Sequence, residues 1–316
     1  MKKILFIYSK DYMKEWNHCL HSDWTNDVLD MYDVDFWGLG FGDISKNSLY
    51  DKIKKFNPEY IYLTIRDIYM KDHNKQSTWI SWLPDLSNIN IKKIFVGCDT
   101  QQYHRNDKWL NQFDEIYCRQ PWWGYGGREY STVLGDKNLY KRKLLNAKSW
   151  KREKLFRWSI SDKTIIDQDY KVRKNILFIG RTDSPMYKYR RKMKIRFNDK
   201  VIFLPQSGKM DDVLSQKEYW DAMRSASALV CPSESCYGDF VPAKIFEYAA
   251  SGSAILTNCD LVRYNMSDLD QVVIKYKDWD HLEYLIHNTD FTKYYNLAKE
   301  VIKNHTHKIR YKELFS

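Results

Sequence analysis

"SASALVCPSESCYGDFVPAKIFEYAASGSAILTN", residues 225–258, reads as a strand, a loop, a helix and a second strand. "ALVCPS" (228–233) is a short apolar run that stops at a proline. "VPAKIFEYAAS" (241–251) carries Pro242 in its first turn, where the missing N–H removes no helical hydrogen bond. Gly252 stands just past it, as a helix-terminating glycine does. "AILTN" (254–258) is the next apolar strand. Strand, crossover helix and strand in so short a span predict a parallel sheet.

The same alternation extends in both directions. On one side lie "KNILFIG" (174–180), "KVIFLP" (200–205) and the helical "KEYWDAMRSA" (217–226). On the other lie "QVVIKY" (271–276) and the closing helices "DHLEYLIHN" and "FTKYYNLAKEVIKNH". The first half repeats the scheme. Its strands are "KILFIYS" (3–9), "DVDFWGLG" (33–40), "YIYLTI" (60–65), "KKIFVG" (92–97) and "EIYC" (115–118), with helices over 12–31 and at "SLYDKIKKFN". Two Rossmann-like domains follow, 1–160 and 161–300, with 301–316 a helix that packs back on the first. Between them, 137–157 holds nine basic residues and one acidic. It is expected as a helix with Leu144, Leu145, Trp150 and Leu155 on one face.

The 316 residues suffice for two medium domains, and the 43% hydrophobic content for two cores. No stretch reaches the roughly 18 apolar residues of a membrane helix. The opening "MKKILFIYSKDY" has too short an apolar run for a signal peptide and is expected as a first strand. Cys19, Cys98, Cys118, Cys231, Cys236 and Cys259 form no CxxC pair. Reduced thiols in a cytoplasmic protein are expected, and no zinc site. The net charge of +10 has two equal explanations, an anionic partner or a coding bias towards Lys, Asn, Ile and Tyr. The 12 tryptophans do not follow from such a bias. Asp33 and Asp35 have the spacing of an Asp-x-Asp metal motif but lie in an apolar strand, and no metal is expected.

Ligands of an open α/β sheet lie beyond the carboxyl ends of its strands. "FIGRTDSP" and "VCPSESCYGD" are two such ends, and the Pro242 helix starts beside them. A helix N-terminus with free N–H groups suits a diphosphate. Arg181 adds a forked donor and Lys244 a point charge; Lys188 and Arg190 are further candidates. Glu247, inside the helix, can accept bonds from vicinal hydroxyls such as those of a ribose. Asp239, in the loop before it, either caps the helix or binds sugar hydroxyls. Glu234 is a further candidate in the same loop.

These stretches and their spacing resemble the nucleotide-sugar half of GT-B glycosyltransferases, specifically the retaining E-x7-E type and the CgeB-like proteins. The clear resemblance covers about 174–260. It implies a fold of two Rossmann-like domains whose parallel sheets face a central cleft. It implies that Arg181 binds the donor diphosphate, that Asp239 stands for the first acid and contacts the donor sugar, and that Glu247 contacts the ribose. Asp replaces the usual Glu at 239. The usual Lys five residues after Arg181 is replaced by Met186, so Lys188 or Arg190 must substitute.

The first half is then expected to hold the acceptor. Asp99 and His104, in "GCDTQQYHRND" (97–107), can orient or deprotonate an acceptor hydroxyl. Trp122 and Trp123, in "RQPWWGYGGREY", can stack on a sugar or a base, or pack internally; Trp79 and Trp82 are equally ambiguous. Base recognition is expected from backbone near 205–208. The expected reaction is metal-independent glycosyl transfer from a nucleotide diphosphate sugar, a UDP-sugar first among the donors, with no cofactor. The acceptor is a glycan or small-molecule hydroxyl, and retention is the expected outcome. Alternatives are a phage-type enzyme acting on a hydroxymethylated base in duplex DNA, a non-catalytic sugar-nucleotide binder, and an epimerase.

Overall fold

The structure, a computed structural model, describes residues 1–8, 27–38, 40–64, 84–99, 110–120, 152–165, 172–182, 188–204, 214–235, 238–239 and 241–316. These divide into two compact units. Among the described residues, one is built on those up to Arg157 together with Arg310–Ser316, the other on Trp158–Ile309.

In the first unit, strands β1 (Lys3–Ile7), β2 (Asp33–Trp37), β3 (Tyr60–Thr64), β4 (Lys92–Asp99), β5 (Glu115–Gln120) and β6 (Glu153–Leu155) form one sheet. The order is β2-β1-β3-β4-β5-β6, and every pairing is parallel. A parallel sheet is covered on both faces, so its central strands carry apolar residues towards both. Strand β1 shows this: Leu5 and Ile7 enter one core cluster, Ile4, Phe6 and Tyr8 another. Side chains alternate across the sheet, so these are its two faces. Helix α1 (Lys46–Phe56) covers the first face through Leu49, Ile53 and Phe56. Ser45 caps it, accepting from Ser48 N, and Asn57 ends it in the left-handed region at φ 51°. Tyr311, Leu314 and Phe315 join the cluster on the second face.

In the second unit, β7 (Lys174–Ile179), β8 (Ile202–Leu204), β9 (Ala226–Cys231), β12 (Ala254–Thr257) and β13 (Ile274–Lys275) form an all-parallel sheet. Its order is β13-β12-β9-β7-β8. A two-residue hairpin pair, β10 (Glu234–Ser235) and β11 (Gly238–Asp239), fills the loop after β9. Helix α2 (Lys188–Phe197) packs Met193 and Phe197 on one face with Leu282 of α5 (Trp279–Asn288). Helix α3 (Gln216–Ser225), with a Ser215–Glu218 capping box, and α4 (Lys244–Ser251) both lie against β9. Gly252 ends α4 at φ 76°, its N–H donating to Ala249 O. A Cβ there would sit 2.4 Å from Asn296 Oδ1, so the position needs glycine twice over.

Three local expectations are corrected. The stretch around Leu155 is not helical: Glu153–Leu155 is an edge strand whose backbone pairs with β5. The predicted helix over 291–305 is broken. Phe291–Tyr294 is a 3-10 turn, Asn296 is left-handed at φ 63° and donates to Gly252 O, and only Leu297–Ile302 is α-helical. Helix α4 begins at Lys244, with Pro242 just before it. Most of 12–31 and of 137–157, and Trp79, Trp82, Met186 and 205–208, lie outside the described residues.

Arg173 ties the amino end of the second sheet. Its Nη1 donates to Arg224 O at 2.6 Å and Ser253 Oγ at 2.7 Å, and both Nη atoms reach Ser251 O at 3.4 Å. A cation therefore meets the C-terminal carbonyls of α3 and α4, where helix dipoles favour it. Among the described residues, no helix is long and apolar enough to cross a membrane.

Candidate functional site

In each sheet the strand order reverses beside the first strand of the unit, between β1 and β3 and between β7 and β9. Such a switch point leaves a crevice at the carboxyl ends, because the connections on either side depart to opposite faces. In the second unit the crevice is bounded by Ile179-Gly180-Arg181 and Cys231-Pro232-Ser233. Ser233 N donates to Asn258 Oδ1 at 2.8 Å, so the ends of β9 and β12 are fixed together.

Helix α4 enters here. Ala243 occupies the cap position and has no capping side chain of its own, and the first turn closes through Ile245 N to Pro242 O at 3.1 Å and Phe246 N to Ala243 O at 3.0 Å. Ile245 through Ser251 are all buried, so α4 is enclosed on every side. Glu247 is thus no solvated helix residue: it is 4% exposed. A buried carboxylate needs a donor. Tyr219 of α3, itself 2% exposed, supplies one, its hydroxyl donating to Glu247 Oε2 at 2.5 Å. The Lys244 ammonium stands 5.5 Å over the Tyr219 ring, within cation–π range. The next residue, Tyr248, pins α4 to β7: its hydroxyl accepts from Ile179 N at 3.2 Å. Burial pushes that phenol well above its ordinary range.

Two cations meet at the same strand ends. Arg190, from α2, reaches back to β7: its guanidinium lies 5.7 Å from the Phe178 ring centroid. A Cβ at Gly180 would stand 3.7 Å from its Nη1 and 3.1 Å from Phe178 Cζ, so glycine keeps the strand end open to the guanidinium. The Cys231 thiol is raised well above its ordinary value by burial, then by the neighbouring Cys259. The charges of Arg190 and Lys244 pull against that rise, which places both in the field of the β9 terminus. Arg181, directly after Gly180, is exposed.

Of the residues singled out from sequence, the fold brings Arg181, Arg190, Lys244 and Glu247 to one switch point. Lys188 is the first residue of α2. Glu234 and Asp239 are cross-strand partners in the β10–β11 hairpin, which lies against α2. Asp99 closes β4 in the first unit, paired with Gln120. Asp35 pairs with Lys52 at 2.8 Å, as a strand residue at a sheet edge. His104, Trp122 and Trp123 lie outside the described residues. Sequence reasoning missed Tyr219, Tyr248 and Asn258. Tyr248 had a readable signal, standing beside Glu247 on the helix; the other two had none.

No family model and no curated protein matches the sequence. Solved structures match over the whole chain. Sucrose-phosphate synthase from Thermosynechococcus elongatus superposes with a TM-score of 0.54 at 10% identity, covering 100% of this chain and 98% of that one. A glycosyltransferase involved in avilamycin A biosynthesis gives 0.51 at 10% identity, with 100% and 96% covered. The lipopolysaccharide outer core galactosyltransferase, without ligand, gives 0.50 at 9% identity, with 100% and 98% covered. At such identities the likeness concerns fold: this chain has the GT-B fold, two Rossmann-like α/β units in one chain.

Proposed function

We propose that the chain is a glycosyltransferase that takes its sugar from a nucleotide diphosphate sugar bound at the β7–β9 switch point. The observation that carries this reading is the buried Glu247 carboxylate at a strand-end crevice that also gathers Arg190 and Lys244. The acid suits hydroxyl donors, and the cations at the same strand ends suit an anion. A nucleoside diphosphate satisfies both: hydroxyls for the acid, phosphates for Arg181, Arg190 and Lys244. The solved structures named above include proteins described as glycosyltransferases, which supports the same direction.

In the transfer, the bond between the anomeric carbon and the diphosphate breaks and negative charge grows on the departing phosphate oxygens. Fixed cations at those oxygens stabilise the transition state more than the ground state. Arg181 and Arg190 supply forked donors, Lys244 a point charge, and the first turn of α4 its N–H groups. Asp239, in the hairpin, takes the sugar hydroxyls, with Glu234 beside it. The reading is metal-independent and retaining, and its preferred donor is a UDP-sugar. On the first unit, Asp99 or His104 handles the acceptor hydroxyl of a glycan or small molecule, and Trp122 and Trp123 stack on it.

The test is titration calorimetry of UDP-, GDP-, ADP- and dTDP-sugars against the wild type and Glu247→Gln. One nucleotide should bind the wild type, and the variant should bind it about tenfold or more weakly, the loss of one or two hydrogen bonds to a charged group. If no nucleotide binds, or if the variant binds equally well, the reading is wrong.

A further inference from the structure

Glu247 is held by a residue 28 positions away, and how it is held has a functional consequence. A glutamate has three side-chain torsions, and a carboxylate free to turn about them presents its lone pairs in no fixed direction. Here the Tyr219 hydroxyl takes Oε2 at 2.5 Å, the short distance of an O–H to an ionised acceptor. The phenol is itself immobile. Its ring is 2% exposed, meets Trp220 edge-on at 6.1 Å and 78°, and carries the Lys244 ammonium 5.5 Å over its face. Tyr219 also sits at the start of α3, its N–H donating the first helical hydrogen bond to Ser215 O at 2.9 Å, next to the Ser215–Glu218 capping box.

We infer that Tyr219 is a positioning residue for the donor site: its hydroxyl orients the Glu247 carboxylate towards the ribose, and its ring supports Lys244 towards the phosphates. This rests on the function proposed above. The two roles separate chemically. Removing only the hydroxyl frees Glu247 and leaves the ring under Lys244. Removing the ring disturbs both.

The experiment compares UDP, GDP and ADP with their 2′,3′-dideoxy forms, by calorimetry on the full chain, with inorganic pyrophosphate as a phosphate-only probe. The wild type should prefer the ribose form of the nucleotide it binds. Tyr219→Phe should weaken that form about tenfold, leave the dideoxy form within about twofold, and leave pyrophosphate unchanged. Tyr219→Leu should weaken pyrophosphate as well. In the double variant Tyr219→Phe/Glu247→Gln the losses should not add, because both remove one unit. A loss in Tyr219→Phe that is equal for ribose and dideoxy forms marks a merely structural tyrosine and overturns the inference; so does no loss at all. Glu247→Gln separates the two levels. If it leaves the ribose preference intact, or no nucleotide binds the wild type, the donor reading itself falls and this inference with it. If it abolishes the preference and Tyr219→Phe does not, only the inference falls.

Discussion

The carboxyl ends of the two sheets are furnished differently among the described residues. In the first unit, the described residues at that end close on one another. Tyr8 N donates to Trp37 O at 2.9 Å, Trp37 is buried with its indole N–H on Ser48 Oγ at 3.0 Å, and Phe36 stacks on Phe41 at 5.1 Å. In the second unit, the corresponding end carries Arg181, Arg190, Lys244 and the Tyr219–Glu247 pair. Parallel order and the strand reversal create a crevice in both. Topology therefore chooses the place and side chains choose the use. Apolar and aromatic groups beyond β1 and β2 contribute to stability. Cations gathered at a strand end suit an anionic ligand.

Glycines test the contrast most severely. A Cβ at Gly38, whose φ is 140°, would meet Tyr8 O at 2.0 Å, a backbone atom that cannot turn aside. Gly38→Ala should destabilise the first unit by about 4 kcal/mol, read from urea or thermal unfolding. At Gly180 the nearest atoms belong to the Phe178 and Arg190 side chains. Gly180→Ala, strained at φ 157° but with only side chains in the way, should lose about 2 kcal/mol of stability, with nucleotide affinity falling as Arg190 is displaced. Equal destabilisation at the two positions would break the comparison.

Arginines sharpen it within the second unit. Arg173, at the amino end, holds the carbonyl ends of two helices. Arg173→Ala should lower stability by about 2 kcal/mol and leave nucleotide affinity unchanged. Arg190→Ala should do the reverse, weakening a diphosphate by about tenfold to a hundredfold with little change in the unfolding midpoint. A variant that moved both properties together would show that the two ends are not separable.

The smallest effect concerns charges on the surface of the same unit. Lys200 and then Arg196, each hydrogen-bonded to Glu283, hold its carboxyl down at about 2, below its ordinary 4.5. A depressed carboxyl stabilises the fold fully above its unfolded value and loses that contribution as pH falls through the folded one. The midpoint gap between wild type and Glu283→Gln should therefore be small and constant near neutrality, and should close below about pH 4.5. A gap that widens in acid would show that these cations do not serve Glu283.

Much of this was legible along the chain. Apolar runs placed the strands, and Pro242 and Gly252 bracketed α4, because caps and periodicity act within a few residues. Arg181 and Glu247 could be singled out because a strand end and a helix start are local features. The broken helix at Asn296 was not legible: its left-handed turn answers a hydrogen bond to Gly252, far back in the sequence. Nor was the edge strand at Glu153–Leu155, since a basic run with apolar punctuation reads as a helix until β5 offers its free edge.

The order of strands and helices, and with it the two parallel α/β units, follows from the amino-acid sequence alone, because each element is specified by its own few residues. Only the tertiary structure decided that α4 is buried from Ile245 to Ser251, that the Tyr219 hydroxyl meets Glu247, and that Arg190 of the α2 run lies at Gly180. Those are meetings between side chains on different elements, set by how helices pack across a sheet, and no local pattern encodes them.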